Sequence, residues 1–313
     1  YRNSLALVAW LPWLEATFAA VVWGGSFIAT KVALQELSPD SLVWLRFAIG
    51  VAVLGLAIAL RRQLRLPSWR ELAYFTLLGF IGITFHQWLQ STGLVTSQAS
   101  TTAWIVATIP VFMAILGWIF LKERLGWLQS AGITLAGLGV LLVVSQGDLR
   151  AMFQGNFGAP GDFLILISAP NWAVFSILSR KGLQRYPAAW MMFYVMLIGW
   201  LLSTLPWLAS HALQEPAWQG WRTVLGAFQE YSLLSWRGWL AIAILGLFAS
   251  GLAYIAWYDA LKAITAARVG VLLYIEPLVA VIVAKIVLGE PLRLAALLGG
   301  GIILLGVWLV QRK

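Results

Sequence analysis

The strings TIPVFMAILGWIFLKERL at residues 108–125 and IEPLVAVIVAKIVLGEPL at residues 275–292 decide the architecture of this chain. Laid over each other at a shift of 167 positions, they pair Pro110 with Pro277, Glu123 with Glu290 and Leu125 with Leu292. The same shift extends outward without a gap. Upstream it pairs Ser68-Trp69-Arg70 with Ser235-Trp236-Arg237, Leu78-Gly79 with Leu245-Gly246, Leu94 with Leu261 and Ala99 with Ala266. Downstream it pairs Gly132 with Gly299 and Gly139 with Gly306. Glycine and leucine pairs arise by chance in an apolar chain, but proline, glutamate and a Ser-Trp-Arg triplet in one frame do not. Before Ser68 the shift becomes 149, pairing Lys31 with Arg180 and Gly50 with Gly199, and the 18 extra residues fall in the connection Ser210 to Arg237. The chain is an internal duplication, with a first repeat at 1–150 and a second at 151–313.

Composition says what kind of unit is duplicated. Of 313 residues, 61% are hydrophobic and only 11% charged, and the mean hydropathy is +0.85. A soluble domain is about half apolar and a quarter charged, so this chain has too little polar surface to fold in water. A bilayer crossing needs about 20 apolar residues. Apolar runs broken by charged or Pro/Gly-rich joints predict helices at 11–34, 42–60, 72–94, 99–121 and 127–144, then 161–178, 188–209, 239–261, 267–288 and 292–310. The expected fold is an all-α membrane protein of ten transmembrane helices. The stretch from Leu5 to Leu34 lacks a basic start, a short apolar core and a small-residue cleavage site in that order, and reads as a retained helix.

Five helices per repeat is an odd number, so the second repeat enters the membrane from the opposite side and the halves are inverted. Lys and Arg indicate the orientation, because they concentrate in cytoplasmic loops. With the N-terminus inside, that side carries Arg2, Arg61, Arg62, Arg65, Arg70, Lys122, Arg124, Arg180, Lys181, Arg185, Lys262, Arg268, Arg312 and Lys313. The other side carries only Arg150, Arg222, Arg237, Lys285 and Arg293. This asymmetry accounts for the net charge of +9 without a nucleic-acid partner. The absence of cysteine removes thiolate metal sites, disulfides and cysteine nucleophiles.

Several strings resemble the EamA family of the drug/metabolite transporter superfamily: Trp23-Gly24-Gly25-Ser26-Phe27, Arg46-Phe47, Pro110-Val111-Phe112, Glu123-Arg124-Leu125, Ala260-Leu261, Glu276-Pro277 and Leu288-Gly289-Glu290, with Gly132, Gly139 and Gly306. The resemblance covers nearly the whole chain. It implies an inner-membrane exporter of amino acids or related metabolites, with a central cavity between the halves. Nineteen tryptophans and a long seventh loop depart from the pattern and leave specificity open.

Candidate site residues follow from polarity inside apolar helices. Helix 3 carries Gly79, Gly82, His86 and Gln90 at spacings of three and four, with Gln87 and Ser91 alongside. A polar face of this kind is costly against lipid and should look inward. The duplicated face of helix 8 carries Ala253, Tyr254, Trp257 and Tyr258, so a polar wall is matched by an aromatic one. Asn171 and Trp172 on helix 6, and Trp104 between Thr101 and Thr108 on helix 4, join the expected substrate-binding set. Close helix packing and interhelical hydrogen bonds are the plainer account of the same residues. Trp10, Trp13, Trp69, Trp127, Trp236 and Trp239 read as interfacial belts.

Glu15, Lys31, Arg46 and Lys285 are expected to snorkel to the interface. Glu276 lies near the middle of helix 9 beside Pro277, and its duplicated partner is Ile109. Glu276, Pro110 and Pro277 are therefore candidates for coupling or gating, with support of a proline bend as the structural alternative for Glu276. No motif calls for a catalytic residue, a cofactor or a metal. The expected partners are the lipid bilayer and a small-molecule substrate, amino acids first, with no nucleic acid and no oligomeric state indicated. An exporter of neutral amino acids, aromatic ones included, is the leading reading. A broad organic-cation exporter is the alternative, and a membrane-embedded enzyme lacks its motifs.

Overall fold

The structure, a computed structural model, describes residues 2–122, 125–148, 150, 158–212, 226, 228–263 and 272–312. The first repeat contains α1 (Arg2–Ala33), α2 (Pro39–Leu60), α3 (Trp69–Thr96), α4 in two pieces (Ala99–Val106 and Ile109–Leu121) and α5 (Trp127–Val144). The second contains α6 (Pro160–Leu183), α7 (Ala188–Ala212), α8 in three consecutive pieces (Trp236–Ala243, Ile244–Leu252 and Ala253–Ala263), α9 (Ile275–Val283 continuing as Ala284–Leu288) and α10 (Leu294–Gln311). Nine of these described helices are long and apolar enough to cross a membrane. The expected tenth is α9, whose first part, from Ala267, lies outside the described residues.

The duplication is visible in how elements begin and end. The Ser-Trp-Arg triplets start α3 and α8: Glu71 Oε2 accepts from the Ser68 N–H at 2.6 Å, and Ser235 Oγ accepts from the Gly238 N–H at 3.2 Å. Both are N-terminal caps that satisfy otherwise orphaned donors. Lys122 and Gly289 occupy equivalent positions and close α4 and α9 in the left-handed conformation, at φ 55° and 67°, where glycine pays no Cβ penalty. A π-helical turn at Phe80–Phe85 in α3 has its counterpart in the longer π-helical segment Ile244–Leu252 of α8, and the two end at equivalent positions.

Packing shows the two-fold relation directly. Glycine lets α5 and α10 touch backbone to backbone: a Cβ on Gly132 would lie 2.5 Å from the Gly306 carbonyl oxygen, and one on Gly306 would lie 2.6 Å from that of Gly132. Gly139 and Gly299 do the same at 2.7 and 2.8 Å. Gly132 is equivalent to Gly299 and Gly139 to Gly306, so each residue meets the counterpart of the other, as a two-fold axis requires. Counterparts also pack on each other, α2 on α7 and α4 on α9, and further contacts come in exchanged pairs: α1 packs on α8 and α6 on α3, α2 on α8 and α7 on α3, α1 on α9 and α6 on α4. The fold is therefore all-α, with two interlocked inverted five-helix repeats.

Two expected helices need correction. The sequence predicts an unbroken helix 4 over 99–121, but the ladder stops at Ala107 and Thr108 and restarts at Ile109. Pro110 has no N–H to give a preceding turn, whereas the first turn of a new helix needs none. Glu276 and Pro277 likewise stand in the first turn of the helix that begins at Ile275, not in the middle of a continuous one. Discontinuous helices of this kind place unsatisfied helix ends near the centre of transporter folds.

One end of the bundle is tied by polar contacts between the repeats. Glu36 accepts from the Ser235 N–H and hydroxyl at 2.7 and 2.6 Å. Glu230 accepts from the Ser38 N–H at 3.0 Å and from the Ser41 hydroxyl, with His211 Nε2 at 3.2 Å. Glu290 caps the start of α4 through the Ala99 and Ser100 N–H groups at 2.8 and 3.1 Å. Lys31, expected to snorkel, instead donates to the Leu94 and Ser97 carbonyls at 3.0 and 2.8 Å. A cation at a helix C-terminus meets its exposed carbonyls and the negative end of its dipole. Lys285 is exposed, as are Trp10, Trp69, Trp127, Trp236 and Trp239.

Candidate functional site

The site is built where α1, α3, α6 and α8 meet between the repeats. Trp23 of α1 and Trp172 of α6 are duplicated counterparts at the shift of 149. Each faces the third helix of the other repeat. Trp23 lies 5.5 Å from Tyr254 and 5.2 Å from Trp257, ring centre to ring centre, and its indole N–H donates to the Ala249 carbonyl at 3.0 Å. Trp172 lies 4.6 Å from the His86 ring and 4.8 Å from Phe175. The geometry is symmetric and the chemistry is not: one tryptophan faces tyrosine and tryptophan, the other faces histidine.

The π turn sets which residues of α3 share a face. An inserted residue rotates the rest of the helix by about 100°, one residue's share of a 3.6-residue turn, so the expected common face of Gly79, Gly82, His86 and Gln90 is divided. Gly79 packs on the backbone of Val195 and Gly199 in α7. Gly82 makes room for the ring of Phe175 in α6. His86, beyond the turn, meets Trp172.

Two buried polar atoms here have no protein partner. His86 Nδ1 and the Ser91 hydroxyl are buried without one. Among the described residues the Gln90 amide and the Tyr254 and Tyr258 hydroxyls also make no hydrogen bond. Folded proteins pair more than about nine in ten of their buried polar groups; the other buried atoms without a partner belong to Gln63, Trp104, Trp207 and Tyr274, outside this group. Asn171 is used differently: its amide donates to the Ile81 carbonyl inside the π turn at 2.8 Å. That bond holds α6 to α3 at the irregular backbone.

Trp104 does not join this group. It is buried against Gly300 of α10, in a cluster with Val111, Ala136, Ile303 and Val307, whereas Trp23, Trp172, Tyr254, Trp257 and Tyr258 belong to one other cluster. The indole nitrogen of Trp104 is buried without a partner. The break in α4 separates its two halves and leaves Trp104 in the first, facing the α5 and α10 pair.

Two charges stand at the edges of the site. Glu276 sits where α9 crosses α1. A Cβ on Gly24 would lie 2.6 Å from the Glu276 carbonyl oxygen, so the missing side chain of Gly24 admits α9 at this point. The half-buried carboxyl of Glu276 makes no hydrogen bond or ion pair among the described residues. Arg46 is the residue that sequence reasoning missed. It does not snorkel: it is 7% exposed and bonds the Ser250 hydroxyl on α8 at 3.1 Å and the Gln87 amide oxygen on α3 at 3.2 Å. A charge in a membrane helix costs about 2.5–3.5 kcal/mol on insertion scales. An interhelical hydrogen bond in the same setting contributes only about 0.6 kcal/mol. The ring of Phe47, 5.0 Å from the guanidinium, adds a cation–π contact, and among the described residues no acid pairs with Arg46.

Inverted repeats and helices broken along their length are the architecture of membrane transporters. The EamA-like transporter family matches twice, over residues 12–145 and 159–312, and the chain belongs to that family. An uncharacterized transporter of Archaeoglobus fulgidus is 27% identical over 301 residues, 96% of this chain and 99% of its own. A probable terminal-alkyne amino-acid exporter of Streptantibioticus cattleyicolor is 28% identical over 295 residues, 94% of this chain and 91% of its own. The uncharacterized inner membrane transporter YedA of Escherichia coli is 26% identical, covering 96% of this chain and 90% of its own. A chain of known crystal structure shares the fold at a TM-score of 0.63 and 23% identity, over 95% of both chains. The family and these relatives are named as transporters, not enzymes.

Proposed function

We propose that this protein exports neutral amino acids, aromatic ones included, and related small metabolites across the cell inner membrane by alternating access, with both termini in the cytoplasm. The observation that carries the reading is the placing of two counterpart tryptophans against different chemistry, Trp23 against Tyr254 and Trp257 and Trp172 against His86, with Arg46 joining Gln87 of α3 to Ser250 of α8. A pocket of apolar lining with a few placed polar groups suits a small ligand with a polar end and an apolar end. The amino-acid exporter among the relatives supports the substrate class, and the excess of Lys and Arg on one side supports the orientation. Two inverted halves give two conformations that exchange roles, one open to each side.

The unpaired carboxyl of Glu276 favours a second reading, an exporter of organic cations, since a carboxylate beside aromatic rings recognises quaternary ammonium groups. Cells overproducing the protein separate the two when challenged with toxic amino-acid analogues and with quaternary ammonium compounds. Resistance to the analogues, lost on alanine substitution of His86, Gln90, Trp172, Tyr254 or Tyr258 at unchanged membrane abundance, is the expected result. Resistance to the ammonium compounds alone would reverse the assignment.

A further inference from the structure

We propose that Arg46 is the anion anchor of the transport cavity and binds the carboxylate of the substrate; this rests on the amino-acid reading above and names the group that recognises its acidic end. A guanidinium has five N–H donors. Arg46 uses two, both on neutral acceptors, Ser250 and Gln87; its guanidinium also lies 5.0 Å from the ring centre of Phe47, and among the described residues no carboxylate pairs with it.

Every acid on the helices packed around Arg46 is committed or distant. Asp259 of α8 pairs with Arg61 at 2.6 Å. Glu71 of α3 pairs with Arg65 at 2.7 Å. Asp40 stands in the first turn of α2, nearer His211. Glu15 of α1 lies near Arg61 and Asp259, away from the site. His86 and Tyr254 lie within the electrostatic reach of Arg46, next to its bonding partners Gln87 and Ser250. A planar guanidinium fork fits a carboxylate through two parallel bonds, and that pairing leaves the apolar end of the ligand against Trp23 or Trp172.

The internal duplication supplies an independent argument. At the shift of 149 the counterpart of Arg46 is Val195, which is fully buried in α7 where α7 packs on α3. The same junction of helices is thus built in the other repeat without a charge. A cation kept only to hold this junction together would not be dispensable in its copy.

Counterflow into proteoliposomes containing the full-length protein tests the proposal. Labelled phenylalanine is the probe, and unlabelled phenylalanine, phenylalaninamide and 3-phenylpropionate are the competitors. The wild type should prefer phenylalanine over its amide by about thirtyfold or more, the loss expected when a buried charge pair loses one member. Arg46→Gln should bring that ratio close to one, and Arg46→Lys, which keeps the charge without the fork, should retain part of it. Equal competition by acid and amide in the wild type overturns the anchor and leaves the amino-acid reading intact, as does full discrimination in Arg46→Gln. If labelled 3-phenylpropionate is carried and phenylalanine is not, the amino-acid reading fails while the anchor stands. Absence of competition or transport by any carboxylate overturns both. Should Arg46→Gln fail to insert, the acid-to-amide ratio of the wild type and of Arg46→Lys decides.

Discussion

Gly24 shows how one missing side chain positions a functional residue. It lets α1 reach the backbone of α9 beside Glu276, where a Cβ would also lie 3.0 Å from that of Val279. Gly24→Ala must push two helices apart, at a cost of about 1–3 kcal/mol. It should lower both the thermal midpoint in detergent and transport, whereas Gly25→Ala, with nothing within 4 Å, should leave both unchanged. Glu276 itself breaks the internal symmetry, being matched by Ile109. If it carries a proton or a cation, Glu276→Gln keeps downhill exchange and loses any stimulation by a pH gradient. A wild type indifferent to such a gradient would leave Glu276 a structural residue. Arg46 was illegible in the sequence for a geometric reason. It lies near the start of an apolar run, where long basic side chains commonly reach the interface, and its bonding partners come from positions 41 and 204 residues away.

At the scale of elements, the duplication made the two five-helix repeats readable from spacing alone. The π turns were not readable, because an extra residue in a helical turn leaves no compositional mark; they changed which residues of α3 share a face. The break in α4 was equally hidden, since a proline inside a continuous apolar run looks the same whether it kinks a helix or starts one, and it moved Trp104 out of the expected set. The restarted helices depend on their ends. Glu290 satisfies two N–H groups at the start of α4 and accepts from the Ser100 hydroxyl at 2.5 Å. Glu290→Ala should cost about 0.5–2 kcal/mol and speed hydrogen exchange at residues 99–102 without affecting the start of α3. Unchanged exchange there would show that the cap is dispensable. The tie between Glu36 and Ser235 carries a pH signature. Hydrogen bonds from the Ser235 hydroxyl and N–H hold the Glu36 carboxyl below its ordinary value. An acid with a lowered folded value contributes fully at neutral pH and loses that contribution as the pH falls through it. The thermal midpoint should therefore drop between about pH 6 and 3, and Glu36→Gln, which does not titrate, should show a smaller drop.

On the scale of the whole molecule, two inverted repeats exchange contacts through a two-fold relation while placing different chemistry at equivalent points. Histidine and glutamine stand on one wall where tyrosine and tryptophan stand on the other, and Arg46 and Glu276 each occur once. In the proposed function, symmetry in the scaffold supplies two related conformations and asymmetry in the lining supplies selectivity. The absence of cysteine makes single-cysteine labelling a clean test of orientation. A cysteine in the loop at 61–66 and one at the C-terminus should both be shielded from impermeant reagents outside intact cells, and labelling of either from outside would overturn the arrangement. The central claim is that the cavity between the repeats carries amino acids across the membrane. Counterflow of a labelled panel of neutral amino acids into proteoliposomes, wild type against Trp172→Ala and Tyr254→Ala, tests it most directly. The account predicts transient accumulation of large apolar and aromatic amino acids by the wild type, strongly reduced in both variants. Accumulation no greater than in protein-free liposomes, or accumulation unchanged in both variants, would contradict it.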